Sequence, residues 1–315
     1  MDQRYIGIGS ALSIVSLVKV DVIVEALRRC IGLVGGLRLP GAPIFIKPNI
    51  CTEVDASGGA NTSIQVVRAI IDEILREDED AVIGVVESDS QGKSIEKAFE
   101  TLGYFQLEDE YRSRGRDVSL INLSKAPTTI IPFKGLYFRE LKIPKILLQR
   151  KHFISVAKPK THGLTGITGV MKNQFGCLPE KNKAAYHGSI DRVIVDLNRV
   201  IQPDLCLVDG VVGMEGVVRG RLRRLGVFLC GRNPVSTDAV LAKVMGFKPS
   251  DIKHLVLAEK CGLGSIHPEV VGERVESVRI KFQRSGGVVG MMGRYIPTPL
   301  YPIARYVYRR TLRRA

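Results

Sequence analysis

Short apolar runs alternate along this chain with longer stretches in which apolar residues recur every three or four positions. That alternation predicts βαβ units and an α/β fold with a mostly parallel sheet, as one body or as two lobes around a cleft. Arg4–Gly9 reads as a first strand, followed by a helix that places Ile23, Ala26, Leu27, Cys30, Ile31 and Val34 on one face. Pro43–Ile50 reads as a second strand. Asn61 or Thr62 then caps a helix whose apolar face is Ile64, Val67, Ile71, Ile74 and Leu75. Ala81–Glu87 is a third strand, and a helix from Ser94 to about Leu102 stops at Gly103. A short strand and a hairpin fill Val118–Phe138, and Pro144 opens a helix that leads into the strand Phe153–Val156. Further on, Ile190, Val193, Ile194, Leu197, Val200 and Ile201 form an amphipathic helix. Leu205–Asp209 and Gly226–Cys230 are strands, and a helix runs from Thr237 to about Met245. The pattern divides the chain into an α/β domain over 1–284, with a motif-bearing core at 44–264, and a segment 285–315. That segment opens on a Gly-rich joint, Ser285–Gly293, and continues as a basic, Tyr- and Arg-rich stretch.

At 315 residues and 45% hydrophobic, the chain has enough apolar surface for a substantial core, which excludes disorder for most of it. The apolar stretch Ala11–Leu27 is broken by Lys19, Asp21 and Glu25, and no continuous apolar region follows Asp2 and Arg4. Neither a membrane span nor a signal peptide is therefore expected, and the expected location is cytoplasmic. The six cysteines contain no C-x-x-C pair, which argues against a structural zinc site or a cysteine-ligated iron-sulfur cluster. Cys30, Cys206 and Cys230 sit in apolar runs and read as small core residues. The net charge of +14 is uneven: residues 277–315 hold nine Lys or Arg and no acid, so residues 1–276 carry only +5. The basic balance reports the C-terminal segment more than the core.

Ligands of an open parallel sheet bind beyond the carboxyl ends of its strands. Polar motifs lie at those ends here. Lys47-Pro48-Asn49 closes the second strand, and the loop Ser57–Thr62 runs into a helix N-terminus, where backbone N–H groups either meet an anion or simply form a capped turn. Glu87-Ser88-Asp89-Ser90 closes the third strand and suits either a ligand hydroxyl or cation, or the cap of the next helix. The densest signal is Ala157–His187, which holds Lys158, Lys160, Lys172, Lys181, Lys183, His162, His187, Asn173 and four glycines, with Glu180 as its single acid. Such a segment predicts a pocket for a carboxylate or phosphate, with Lys172 as nucleophile or anion clamp. Asp209-Gly210, Met214-Glu215-Gly216 and the stretch Asn233–Asp238 follow at later strand ends or helix starts. Asp209 and Asp238 are candidates to orient a histidine or hold a cation, and Asp238 also fits an ordinary first-turn acid.

Together, Lys47-Pro48-Asn49, Lys158-Pro159-Lys160-Thr161-His162, Lys172-Asn173, His187, Asp209-Gly210, Met214-Glu215-Gly216 and Asp238 resemble the uncharacterised family called domain of unknown function 362, from about Ile44 to Gly264. Many of its members carry a ferredoxin-type cluster motif of closely spaced cysteines, which is absent from this sequence. His162, Lys172 and His187 also resemble, in order and nearly in spacing, a His, Lys and His of nickel-pincer lactate racemases. That resemblance implies Lys172 as the anchor of a covalently held cofactor, His187 as a transition-metal ligand and His162 as the proton- or hydride-handling base. The second interval is one residue shorter here, and the racemase substrate motif has no match.

These residues point first to an enzyme, of racemase/isomerase-like or redox type, that binds a small anionic metabolite. Catalytic work falls to His162 and Lys172. Lys47, Asn49, Lys158, Lys160, Asn173, Asp89, Asp209 and Asp238 line the ligand. The alternatives are a cofactor or metal carrier and an RNA-binding protein. Against RNA stand an aromatic content of 6%, the absence of Trp and a basic loop without interleaved aromatics. The segment Tyr301–Arg314 mixes tyrosines with five arginines and suits an anionic membrane surface, RNA, an oligomer arm or a solvated tail.

Overall fold

The computed structural model describes residues 13–38, 41–55 and 57–285. The strand expected at Arg4–Gly9 lies outside the described residues, as do residues 286–315 of the C-terminal segment. Strand β1 (Ile14–Lys19) leads to helix α1 (Ile23–Gly32), β2 (Ile44–Pro48) to α2 (Ile64–Glu77), and β3 (Ile83–Glu87) to α3 (Ile95–Thr101) and α4 (Tyr104–Ser113). After β4 (Val118–Asn122) come the hairpin strands β5 (Thr128–Pro132) and β6 (Glu140–Pro144), α5 (Lys145–Gln149), and β7 (His152–Ala157). Two short strands, β8 (Lys160–His162) and β9 (Gly166–Thr168), precede α6 (Val170–Asn173) and α7 (Ile190–Val200). The long strands β10 (Leu205–Glu215) and β11 (Arg221–Gly231), helices α8 (Pro234–Val244) and α9 (Lys253–Lys260), β12 (Glu269–Gly272) and a short helix α10 (Val275–Val278) complete the order.

One sheet runs in the order β12-β1-β11-β10-β7-β2-β3-β4, with β8 and β9 attached beyond β10. Five of its neighbouring pairs are parallel, and only the β1–β11 and β11–β10 pairs in that order are antiparallel. Helices cover both faces. Along β2, Ile44 and Ile46 join the cluster built on α1 and α2, whereas Phe45 joins the cluster built on α7 and α8. Strand β11 sorts Phe228 and Cys230 from Val227 and Leu229 in the same way, as a side-chain period of two requires. Strands covered on both faces read as continuous apolar runs, which is why β2, β3 and β7 were legible as short hydrophobic blocks. The α2 face seals one side with Val66, Val67, Ile70, Ile71 and Ile74, each at most 2% exposed. Each such side chain contributes about 1.5–3 kcal/mol relative to exposure, before the entropy of ordering is set against it.

Several local expectations are corrected. Ser63, not Asn61 or Thr62, caps α2 by accepting the Gln65 N–H. Asn61 instead binds the N–H groups of Cys51 and Thr52, and Thr62 Oγ1 bridges Asn49 N and the Val156 carbonyl. Gly103, at φ +82°, ends α3 but immediately starts α4, a helix the sequence reading lacked. Helix α8 begins at Pro234 under an Asn233 cap, three residues ahead of Thr237, so Asp238 lies inside the helix and is fully buried.

Candidate functional site

The carboxyl ends of β2, β3, β7 and β10 meet in a cluster of buried charges. Lys47, at the end of β2, donates to Glu87 at the end of β3 (2.7 Å) and to Asn173 Oδ1 (3.3 Å). Burial would raise the Glu87 carboxyl, but Lys47, Lys93 and Lys183 hold it below the ordinary carboxylate range. Gly176 is required beside this pair, because a Cβ there would lie 2.4 Å from Glu87 Oε1 and 2.5 Å from Lys47 Nζ. Lys158 extends from the end of β7 to Asp209 in β10 (2.9 Å), and the same Asp209 oxygen accepts the N–H of Ser63 at the start of α2 (2.9 Å). Both ion pairs are almost wholly withdrawn from solvent. Lys160, fully buried, donates to Asn49 Oδ1 (2.7 Å), the Ala60 carbonyl (2.6 Å) and Cys51 Sγ (3.1 Å). Asn49 and Asn173 are themselves joined at 3.1 Å.

Above this floor lie the residues that keep partial contact with solvent: Asn49, Cys51, His162, Lys172 and His187. Lys172 sits on the short helix α6. Among the described residues it has neither a carboxylate within 4 Å nor a hydrogen-bond acceptor, and its ammonium lies 5.6 Å from the Phe175 ring centre. Burial, with Lys160 and Lys47 adding like charge, brings its pKa down to about 8. The His162 pKa is pushed well below 6.5, by burial first and then by Lys172 and His187, so the ring is neutral near pH 7. Its Nδ1 accepts the N–H groups of Leu164 (3.2 Å) and Thr165 (3.3 Å), which assigns the proton to Nε2. Its ready role is therefore that of a hydrogen-bond donor. His187 stacks on Phe175 at 6.5 Å.

Asp238 stands behind the cluster. Its two oxygens accept the N–H groups of Val170 (2.7 Å) and Met171 (2.9 Å), fixing the N-terminus of α6 and hence the turn that carries Lys172. Burial raises this carboxyl to about 6 despite those bonds. Gly169 permits the approach, since a Cβ there would lie 2.2 Å from Asp238 Oδ1.

The residues expected at one place are largely brought together there: Lys47, Asn49, Lys158, Lys160, Lys172, Asn173, His162, His187 and Asp209. Asp89 takes the capping alternative, accepting the Ile95 N–H at the start of α3 (2.9 Å) and pairing with Lys181 (3.3 Å). The loop Ser57–Thr62 does not offer its N–H groups to a ligand. Asp55 Oδ2 already accepts those of Ala60 (2.9 Å) and Asn61 (2.6 Å). Sequence reasoning missed Cys51, Lys93, Asp55 and His254. His254 is fully buried, with its Nδ1 3.6 Å from Asp191 Oδ1. Apart from Asp55, which folds back on Ala60 and Asn61, their roles rest on contacts distant in sequence, and only the position of Cys51 just after a strand end gave a usable signal.

Among the described residues, no group of three or more His, Cys, Asp or Glu side chains converges as a metal site. An open pocket of about 660 Å³ lies elsewhere, lined by Arg223, Phe247, Lys248, Asp251, Lys281, Phe282 and Arg284 among others. Two of its cations are already engaged, Arg284 with Asp251 and Arg223 with the Lys281 carbonyl, so it is the weaker candidate for an anion. No helix among the described residues is long and apolar enough to cross a membrane.

A family model described as Domain of unknown function (DUF362) matches residues 44–243, the span that holds most of this cluster. A thylakoid-associated protein from Synechocystis sp. is 25% identical over 262 residues, which cover 78% of this chain and 76% of that protein. The lactate racemase apoprotein from Thermoanaerobacterium thermosaccharolyticum aligns with a TM-score of 0.43 at 10% identity. That alignment covers 70% of this chain but only 54% of the racemase, and it assigns neither a cofactor nor a reaction.

Proposed function

This chain belongs to the family Domain of unknown function (DUF362), and we propose that it is an enzyme that binds a small carboxylate or phosphate against Lys172. One observation carries the reading. Six lysines gather at the strand ends, Lys47, Lys93, Lys158, Lys160, Lys172 and Lys183, yet the acids among them are Glu87, Asp209 and Asp89, and Lys172 faces none of these. An unpaired ammonium away from water is costly, and an arriving anion offsets that cost. With a pKa near 8, Lys172 also carries a fraction of free amine at neutral pH, as proton transfer or nucleophilic attack needs. Neutral His162 donates a hydrogen bond to the same ligand.

Calorimetry with inorganic phosphate and with malonate, on the parent and Lys172→Ala, tests this. The expected result is binding by the parent and at least about a tenfold loss in the variant, or about 1.4 kcal/mol. Equal binding by both proteins sinks the reading.

A second reading concerns place of action. At the hairpin turn between β10 and β11, Val218 (43% exposed) and Leu222 (40%) stand among exposed Arg219, Arg221 and Arg224. The neighbouring Gly216 N–H donates to Thr161, so this tip borders the cluster. Apolar and cationic side chains together suit an anionic membrane surface, and the name of the Synechocystis relative fits that setting. Co-sedimentation with phosphatidylglycerol vesicles should fall in Leu222→Asp. Sedimentation unchanged by Leu222→Asp, or absent from the parent, refutes the surface.

A further inference from the structure

We propose that Cys51 and Lys160 form a thiolate–ammonium pair and that Cys51 is the nucleophile of the strand-end cluster, directed at small anionic electrophiles. Lys160 Nζ is fully buried with three acceptors: the amide oxygen of Asn49 (2.7 Å), the carbonyl of Ala60 (2.6 Å) and the sulfur of Cys51 (3.1 Å). Only the sulfur can take a negative charge, so it is the one available counter-ion for a cation that folding has removed from water. The second observation is independent of that contact: Lys172, without an acceptor among the described residues, acts electrostatically on the same sulfur. Among the described residues, the ammoniums of Lys160, Lys172 and Lys93 act on Cys51. Burial alone would raise the thiol, yet these three bring it below its ordinary value.

The other cysteines set the contrast. Burial pushes Cys30 and Cys177 up to about 12, and Cys206 and Cys230 well above their usual value. Cys51 keeps partial solvent contact, and Cys261 is exposed at the surface. In a substitution at Cys51, a sulfur lone pair forms the S–C bond while the bond from carbon to its leaving group breaks and that electron pair departs with the leaving group. The thiol proton has already passed to solvent, and Lys160 keeps its own. The choice of anionic electrophiles rests on the function proposed above; the thiolate pair does not.

The test alkylates the whole protein with iodoacetamide and, separately, with iodoacetate, following Cys51 and Cys261 by peptide mass spectrometry across pH. Near pH 6.5, iodoacetamide should modify Cys51 at least about tenfold faster than Cys261, and the rate at Cys51 should reach its midpoint at a lower pH. Lys160→Gln should erase that advantage. A rate at Cys51 no greater than at Cys261, or one untouched by Lys160→Gln, overturns the pair. Should that variant fail to fold, the two midpoints in the parent decide alone: a lower value at Cys51 supports the pair, and an equal or higher one overturns it. Iodoacetate should gain on iodoacetamide at Cys51 relative to Cys261. Fast iodoacetamide labelling without that gain keeps the thiolate and removes the anionic ligand.

Discussion

Lys158 and Lys172 belong to one short segment, the first buried and the second partly so, but the fold treats them in opposite ways. Lys158 leaves the end of β7 and meets Asp209 at 2.9 Å, inside an arrangement that also fixes the start of α2. Lys172 rides on α6, with its turn held from behind by Asp238 and, among the described residues, no carboxylate within 4 Å and no hydrogen-bond acceptor for its ammonium. The first is an internal ion pair that joins two elements. The second is a charge that the fold positions without a partner, which is an arrangement that makes sense for a group completed by something outside the chain.

The sharpest way to break this comparison is to make Lys158 resemble Lys172. Asp209→Ala leaves a fully buried ammonium and also strips the Ser63 N–H of its acceptor. Removing one partner of such a pair costs about 3–5 kcal/mol, so the guanidinium unfolding midpoint should fall steeply. A loss under about 1 kcal/mol would mean that a lysine at the strand ends needs no partner, and the significance attached to Lys172 would go with it.

Much of this contrast could be read in the sequence, and the parts that could not share a physical cause. Strands β2, β3 and β7 announce themselves as apolar blocks ending in Lys, Glu or Asn, so the gathering of Lys47, Lys158 and Asp209 followed from strand ends alone. The scarcity of acids around Lys172 was visible as composition. What composition hides is pairing across the chain: Asp55 folding back on the loop before α2, Lys160 reaching Cys51, and Asp238 reaching α6 from inside α8. Strand β1 was missed because Ile14–Val18 is buried over most of its length and runs into α1 after a short turn, so the two read as one apolar stretch. Helix α4 was missed although Tyr104, Leu107 and Tyr111 carry its periodicity, because Gly103 reads as a stop and serves as a stop and a start at once.

A smaller effect probes the support behind Lys172. Asp238→Asn keeps the shape of the side chain but leaves only one oxygen for the two N–H groups of Val170 and Met171, so one buried donor loses its acceptor, at a cost of about 1–3 kcal/mol. The pH dependence carries a sign. The Asp238 carboxyl rises from 3.8 to about 6 on folding, so between those values the folded chain binds more protons than the unfolded one. The stability this group contributes is full below about pH 4 and is lost as pH rises through about 6. Plotted against pH, the stability of the parent minus that of Asp238→Asn should therefore decline from pH 4 to 6 and level off above, with contributions from all other groups cancelling in the difference. Phosphate affinity should fall in the same variant although Asp238 stands behind the cluster, because the turn that aims Lys172 has lost half of its anchor. A flat difference curve, or one that climbs with pH, would show that the N–H groups of Val170 and Met171 outweigh burial and keep the carboxyl charged, and an unchanged phosphate affinity would show that the turn is held by something other than Asp238.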